Sequence, residues 1–212
     1  MKAWGVTDVG LRRRENQDTY AFETFGAPDT VVAVVCDGMG GVRGGQLASS
    51  LAVSTFMEEL HRRAHSEMTV DEVREMQSAC VRTANRAIYE RSLAGTEYRG
   101  MGTTLVSAIA SGGVAVFCNV GDSRAYHISR EGIRRVTRDH SVVESLIEAG
   151  DITPEQARTH PNRNLITRAL GPDHSIETDS YIVSLAEGDY LLLCSEVCSS
   201  CALYSHRYRY SY

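Results

Sequence analysis

Six consecutive apolar residues, Val31-Val32-Ala33-Val34-Val35-Cys36, run directly into Asp37-Gly38-Met39-Gly40-Gly41. A stretch of that length, rich in β-branched residues, reads as a strand buried on both faces. The glycines after it let the backbone turn sharply and approach a ligand closely. The chain must therefore deliver a carboxylate to the end of a core strand, a placement that suits a hard cation.

Two other segments carry matching chemistry. Gly10-Leu11-Arg12-Arg13-Arg14-Glu15-Asn16-Gln17-Asp18 presents a guanidinium and a second carboxylate five residues apart, ahead of another strand-like stretch. An Arg fork matches a phosphate, and an Asp matches Mg2+ or Mn2+. Asn119-Val120-Gly121-Asp122-Ser123-Arg124 places a third acidic residue at a glycine turn between the apolar stretches Val114–Val120 and Ala125–Ile128. Three carboxylates at three turns point to one metal-bound centre.

At these residues the chain resembles the metal-dependent protein serine/threonine phosphatases of the phosphatase 2C (PPM) type, in their compact bacterial form. The resemblance runs from about residue 3 to residue 195 and rests on motifs in order: Gly10 to Asp18, Asp37 to Gly41, Gly100-Met101-Gly102-Thr103-Thr104, Gly121 to Arg124, Thr137 to Ser141, His160 to Asn164 and Thr167 to Gly171. It implies an α+β fold, an αββα sandwich of two mainly antiparallel sheets flanked by helices. It also implies two Mn2+ or Mg2+ ions, with a possible third, that activate water for in-line attack on phosphoserine or phosphothreonine. By motif match, Asp37 is the carboxylate bridging the metals and Gly38 offers a backbone carbonyl. Asp18 holds metal-bound waters, Arg13 clamps the substrate phosphate, and Asp122 belongs to the third, weaker metal position. No nucleophilic side chain is required, so the six cysteines need no catalytic role.

Plainer readings stand beside these. Arg12 and Arg14 read as surface members of a charge cluster. Asp122 also reads as a hairpin aspartate paired with Arg124. His140 and His160 read as hydrogen-bonded structural histidines rather than acids. Helical periodicity predicts one helix over Gln46 to His65, with Leu47, Leu51, Phe56 and Leu60 inward, and another over Val70 to Arg91, with Val73, Met76, Cys80, Ala84, Ala87 and Ile88 inward. Between Ser141 and Pro161 a short helix should end at Gly150 and another begin at Pro154. This matches the flap beside the active site in bacterial members of the family.

The C-terminus departs from the pattern. After Glu187 to Ser195 the family continues with Asp-Gly-Leu and later a Gly-x-Asp-Asn segment, whereas this chain reads Glu196-Val197-Cys198 and continues to Tyr212. Two expected metal carboxylates are absent unless Glu196 substitutes for one, so the expectation is a domain over 1–195 lacking its C-terminal elements, with one metal position impaired. Residues 196–212 show no helical or strand period and are expected to form a poorly ordered tail foreign to the family. Losing one base from an Asp-Gly-Leu coding stretch would yield Glu-Val-Cys, which points to a shifted reading frame. Cys194, Cys198, Cys201 and His206 admit a zinc reading by count, but the segment lacks a knuckle or ribbon pattern.

A chain of 212 residues, 42% hydrophobic and without a Pro/Gly/Ser linker, is one domain in size. Met1-Lys2-Ala3-Trp4 is expected to lead straight into a strand, without the apolar core of a signal peptide, and no stretch approaches a membrane span. These features predict a cytoplasmic monomer with reduced cysteines. A net charge of −5 argues against nonspecific nucleic-acid binding. The expected partners are phosphorylated proteins, targets of a Ser/Thr kinase; a non-hydrolysing pseudophosphatase that binds phosphoproteins is the alternative.

Overall fold

The computed structural model describes residues 1–11, 15–24 and 30–195. Its first paired elements are β1 (Asp18–Thr24) and β2 (Val31–Met39), antiparallel, in a register that sets Asp18 opposite Asp37. Along β2, Val32, Val34 and Cys36 are fully buried, while Val31, Ala33, Val35 and Asp37 alternate with them as half-buried positions. The expectation of equal burial on both faces is thus corrected. One face lies under helices and the other looks toward a second, smaller sheet, so the burial alternates along the strand.

Helices α1 (Gly41–Arg63) and α2 (Val70–Leu93) follow and pack on each other and on that first face. Phe56 and Leu60 of α1 and Cys80, Ala84 and Ile88 of α2 join Val32, Val34 and Cys36 in one apolar cluster, while Leu47 and Leu51 sit half-buried at its margin. Thr69 and Glu72 close a capping box that fixes the start of α2. α1 begins five residues earlier than its hydrophobic period suggests, because the glycines that read as a turn are its first turn. A Cβ on Gly38 would lie 2.0 Å from the Gly45 carbonyl oxygen, and one on Gly45 would lie 2.4 Å from the Gln17 side-chain oxygen. The end of β2 and the start of α1 therefore meet backbone to backbone, and only glycine permits that approach.

The short β3 (Gly102–Thr103) pairs with the end of β2, and β4 (Leu105–Ser111) continues beside β2. With β5 (Val114–Val120) they belong to the larger sheet. The chain then crosses to the smaller sheet through Gly121–Ser123 and forms β6 (Arg124–Ser129) and β7 (Gly132–Arg135). α3 (Val142–Ala149) ends at Gly150 in the left-handed conformation, φ 78°, and α4 (Pro154–Ala157) starts on its proline, the helix ends expected from the sequence. β8 (Asp179–Ser184) returns to the larger sheet, ordered β1-β2-β4-β5-β8, and β9 (Tyr190–Cys194) joins the smaller one, ordered β7-β6-β9. Every pairing between these strands is antiparallel.

Val106, Ala108, Phe117, Ala125 and Val183, with Leu191 and Leu193 packed against them, fill the space between the sheets. The described residues thus supply three layers, helices, larger sheet and smaller sheet; no described helix packs broadly over the smaller sheet. Residues 1–9, expected to enter a strand, pair with no described strand, and Trp4 and Val6 are exposed. A strand-like segment becomes a strand only where a ladder partner lies beside it. Among the described residues, no helix is long and apolar enough to cross a membrane.

Replacing Gly38 by Ala should cost on the order of 2–3 kcal/mol in urea unfolding, because a backbone-to-backbone contact cannot yield as a side chain does. Gly112→Ala, where nothing lies within 4 Å and only the positive φ of 57° is strained, should cost about 1 kcal/mol.

Candidate metal centre and phosphate site

The two sheets present a common end, built from the start of β1, the end of β2, the β5–β6 crossover and the end of β9. Asp18 and Asp37 are direct partners across the β1–β2 ladder. Directly opposed residues of an antiparallel pair put their side chains on one face about 5 Å apart at Cβ, so two half-buried carboxylates stand side by side. Asp18 is held by a backbone bond to the Asn16 side chain, 3.0 Å, and its Oδ2 accepts the Ser195 hydroxyl at 3.0 Å. Its Oδ1 is buried and has no hydrogen-bond partner. An orphaned carboxylate oxygen beside a second carboxylate lacks positive charge, and a divalent cation or its coordinated water would supply it.

Asp37 is fixed through its backbone. Its carbonyl accepts the Thr104 N–H and the Thr103 hydroxyl, both at 2.9 Å, and its N–H donates to Thr104 Oγ1 at 2.9 Å. Gly38 N–H donates to Gln17 O at 3.1 Å, tying the residues before Asp18 to those after Asp37. Asp122, 9% exposed, rides the crossover turn. His140 N–H donates to Gly121 O at 2.9 Å, while Gly121 N–H donates back to His140 Nδ1 at 3.0 Å. The buried Asn119 amide bonds Gly121 O and Arg138 O.

Asp18 and Asp37 are thus brought together, with Gly38 beside them, and Asp122 stands on the turn at the same end. Among the described residues no three His, Cys, Asp or Glu side chains converge closely enough to chelate an ion alone. That is compatible with a hard cation such as Mg2+, which keeps several waters and uses one or two carboxylates. Arg13 and Glu196 lie outside the described residues, as do Cys198, Cys201 and His206. Arg124 gives its fork to Asp139, with Nε to Oδ1 at 2.9 Å, rather than closing the hairpin on Asp122.

His140 is structural, as the sequence suggests, and 7% exposed. Because Nδ1 accepts from Gly121, the ring is neutral with its proton on Nε2, which faces Asp179 Oδ2 at 3.1 Å; Arg168 bonds Asp179 Oδ1 at 2.8 Å. Burial lowers the His140 pKa from its ordinary 6.5, outweighing the upward pull of Asp179, and nearby Arg168 and Arg138 push the same way as burial. For Asp179 burial acts upward, but bonds from His140 and Arg168 hold its pKa below the usual carboxylate range. His160 Nδ1 accepts the Asn162 N–H at 3.1 Å. Arg135 and Arg138 tie α3 down through Glu144 and Glu148. Burial pushes the Cys80 and Cys118 thiols up to about 12, and burial with the Asp37 charge raises Cys36 as well, so these cysteines stay protonated.

Thr104, Ser123 and Ser195 hold the site together, yet sequence reasoning assigned them no role. Their only local signal is a hydroxyl at a strand end, which gains meaning once the register shows what lies opposite.

Residues 12–196 match the family model described as protein phosphatase 2C. The chain belongs to this family of bacterial metal-dependent protein serine/threonine phosphatases. It is 36% identical over 191 residues to the serine/threonine phosphatase stp of Listeria monocytogenes serotype 4b, spanning 90% of this chain and 75% of that protein. The crystal structure of serine/threonine phosphatase Stp1 from Staphylococcus aureus superposes with a TM-score of 0.80 at 37% identity, covering 90% of this chain and 74% of the other. The catalytic domain of the phosphatase PstP, solved in complex with two manganese ions, aligns with a TM-score of 0.72 at 30% identity over 88% of this chain and 74% of its own.

Two outcomes are expected. Asp18→Asn removes one of two facing carboxylates, so it should stabilise the metal-free chain by about 1 kcal/mol while weakening Mn2+ binding, both read by thermal unfolding with and without Mn2+. For His140, the folded pKa lies below the unfolded value of about 6.5, so its contribution is present above pH 6.5 and is lost as pH falls toward the folded pKa. Urea midpoints should therefore drop between pH 7 and pH 5 more steeply for the native chain than for His140→Asn, which keeps an acceptor for Gly121 but does not titrate.

Proposed function

We propose that this chain hydrolyses phosphoserine and phosphothreonine on proteins through a Mn2+ or Mg2+ centre held by Asp37, with Asp18 steadying coordinated water, Gly38 giving a carbonyl, and Asp122 serving a weaker third position. The single observation that supports this most directly is the ladder pair Asp18 and Asp37 with the buried, unpartnered Asp18 Oδ1. When bound, the ions supply Lewis-acid charge and lower the pKa of coordinated water so that hydroxide is available near neutral pH.

The remaining tasks fall to the protein. Asp37, braced through both its N–H and its carbonyl, keeps its carboxylate in one place without rearrangement during turnover, the preorganisation that electrostatic catalysis requires. Arg13, by motif match, binds the phosphate oxygens bidentately and so aligns phosphorus for in-line attack. Cys36, Cys80 and Cys118, buried and protonated, take no part.

Glu196 stands where the family has Asp. Its longer arm makes one metal position weak in this reading, so turnover is low. That same substitution favours the second reading, a pseudophosphatase that retains Arg13 and binds phosphoproteins without hydrolysing them.

Hydrolysis of p-nitrophenyl phosphate and a phosphothreonine peptide by the 212-residue chain, with millimolar Mn2+ and with Asp37→Ala alongside, decides between them. Mn2+-dependent turnover abolished in Asp37→Ala supports the phosphatase. Background turnover in a cooperatively folded chain that still binds the phosphopeptide supports the binding module.

A further inference from the structure

We propose that Thr104 is a positioning residue for the metal centre, its hydroxyl coupling the strand end that carries Asp37 to the crossover turn that carries Asp122. The inference rests on the metal-site reading above and goes beyond it by naming what sets the spacing of two carboxylates on separate segments.

The register of β2 explains why Thr104 has this place. Val35 pairs with Val106 and Gly38 with Thr103, so the count runs unbroken and Asp37 faces Thr104. Yet β3 ends at Thr103 and β4 begins at Leu105. In a regular antiparallel pair the two residues would exchange both backbone bonds. Here only one survives, Thr104 N–H to Asp37 O at 2.9 Å. The other is diverted: Asp37 N–H goes to Thr104 Oγ1 at 2.9 Å, so a side chain replaces the Thr104 carbonyl in the ladder. The same hydroxyl lies 2.6 Å from Ser123 Oγ, next to Asp122, and both residues are buried, at 3% and 0% exposure.

One hydroxyl oxygen thus bonds the amide of one candidate ligand and the neighbour of another. Packing enforces the contact from the other side. Gly121 has φ 102°, and a Cβ there would lie 2.6 Å from the Thr104 methyl, so the turn is pressed onto Thr104. With the hydroxyl gone, Asp37 N–H can be satisfied only by rotating the peptide toward the Thr104 carbonyl, which moves the Asp37 carboxylate, or it stays orphaned.

The test uses the full chain, with Mn2+ alone as the probe. Calorimetry reads Mn2+ affinity, and amide hydrogen exchange by NMR on the metal-free chain reads the Asp37 N–H. Thr104→Val keeps shape and removes the hydroxyl; it should speed exchange at Asp37 and weaken Mn2+ binding about 10-fold or more, the usual scale for groups that orient ligands. Thr104→Ser should restore both, and Ser123→Ala should shift the Asp37 amide although it does not touch it. The proposal is overturned if Thr104→Val lowers thermal stability but leaves the Asp37 amide and Mn2+ affinity as in the native chain, or if Thr104→Ser does not restore them. Should the native chain take up no Mn2+, the functional reading fails and amide exchange alone judges the coupling: protection in the native chain and Thr104→Ser but not Thr104→Val sustains it, and equal exchange in all three overturns it. Should Thr104→Val not fold, Ser123→Ala decides by the same readouts, an unmoved Asp37 amide overturning the coupling.

Discussion

Two carboxylates held face to face across a β-ladder are the constraint that the rest of the molecule answers to. Asp18 and Asp37 are direct ladder partners, and one Asp18 oxygen is buried without a donor. The segment could relieve this by fraying, since strand ends are cheap to open. The surrounding structure prevents that. The Gly38–Gly45 backbone contact holds the end of β2 against α1, Thr103 and Thr104 bind the Asp37 backbone, and Ser195 reaches from the smaller sheet to Asp18. A cation bound there would supply the missing charge, and any such binding would stabilise the fold in proportion to its affinity.

Much of this was legible in the sequence, and the parts that were not share a cause. β5 and β6 followed from apolar runs broken at Gly121-Asp122, the flap helices from Gly150 and Pro154, and the inward face of α2 from its period. Each is a local signal. The start of α1 was missed because Gly40 to Gly45 look like a turn; their purpose is room for another backbone, a tertiary fact with no local signature. The same holds for residues 1–9, whose expected strand has no described partner to pair with.

For the candidate site, the motifs single out carboxylates but say nothing of how they are held. That Asp18 and Asp37 oppose each other is a matter of register, and so is the role of Thr104, since a threonine after Gly-Met-Gly-Thr announces nothing until its opposite number is known. His140 was read as structural, and the structure adds what it supports: both backbone groups of Gly121, next to Asp122.

The β5–β6 crossover carries Asp122 from one sheet to the other, while Asp37 stays at the end of the first. Beyond the Thr104 contact, their separation also depends on the gap between the sheets, which Phe117 and Ala125, with Leu191 and Leu193 against them, hold open as a spacer. Interiors are packed too densely to absorb a change in that filling silently. A methylene added or removed deep between the sheets would be felt as a change in the span between acids it never touches, so the apolar interior works here as a dimensional standard for charge.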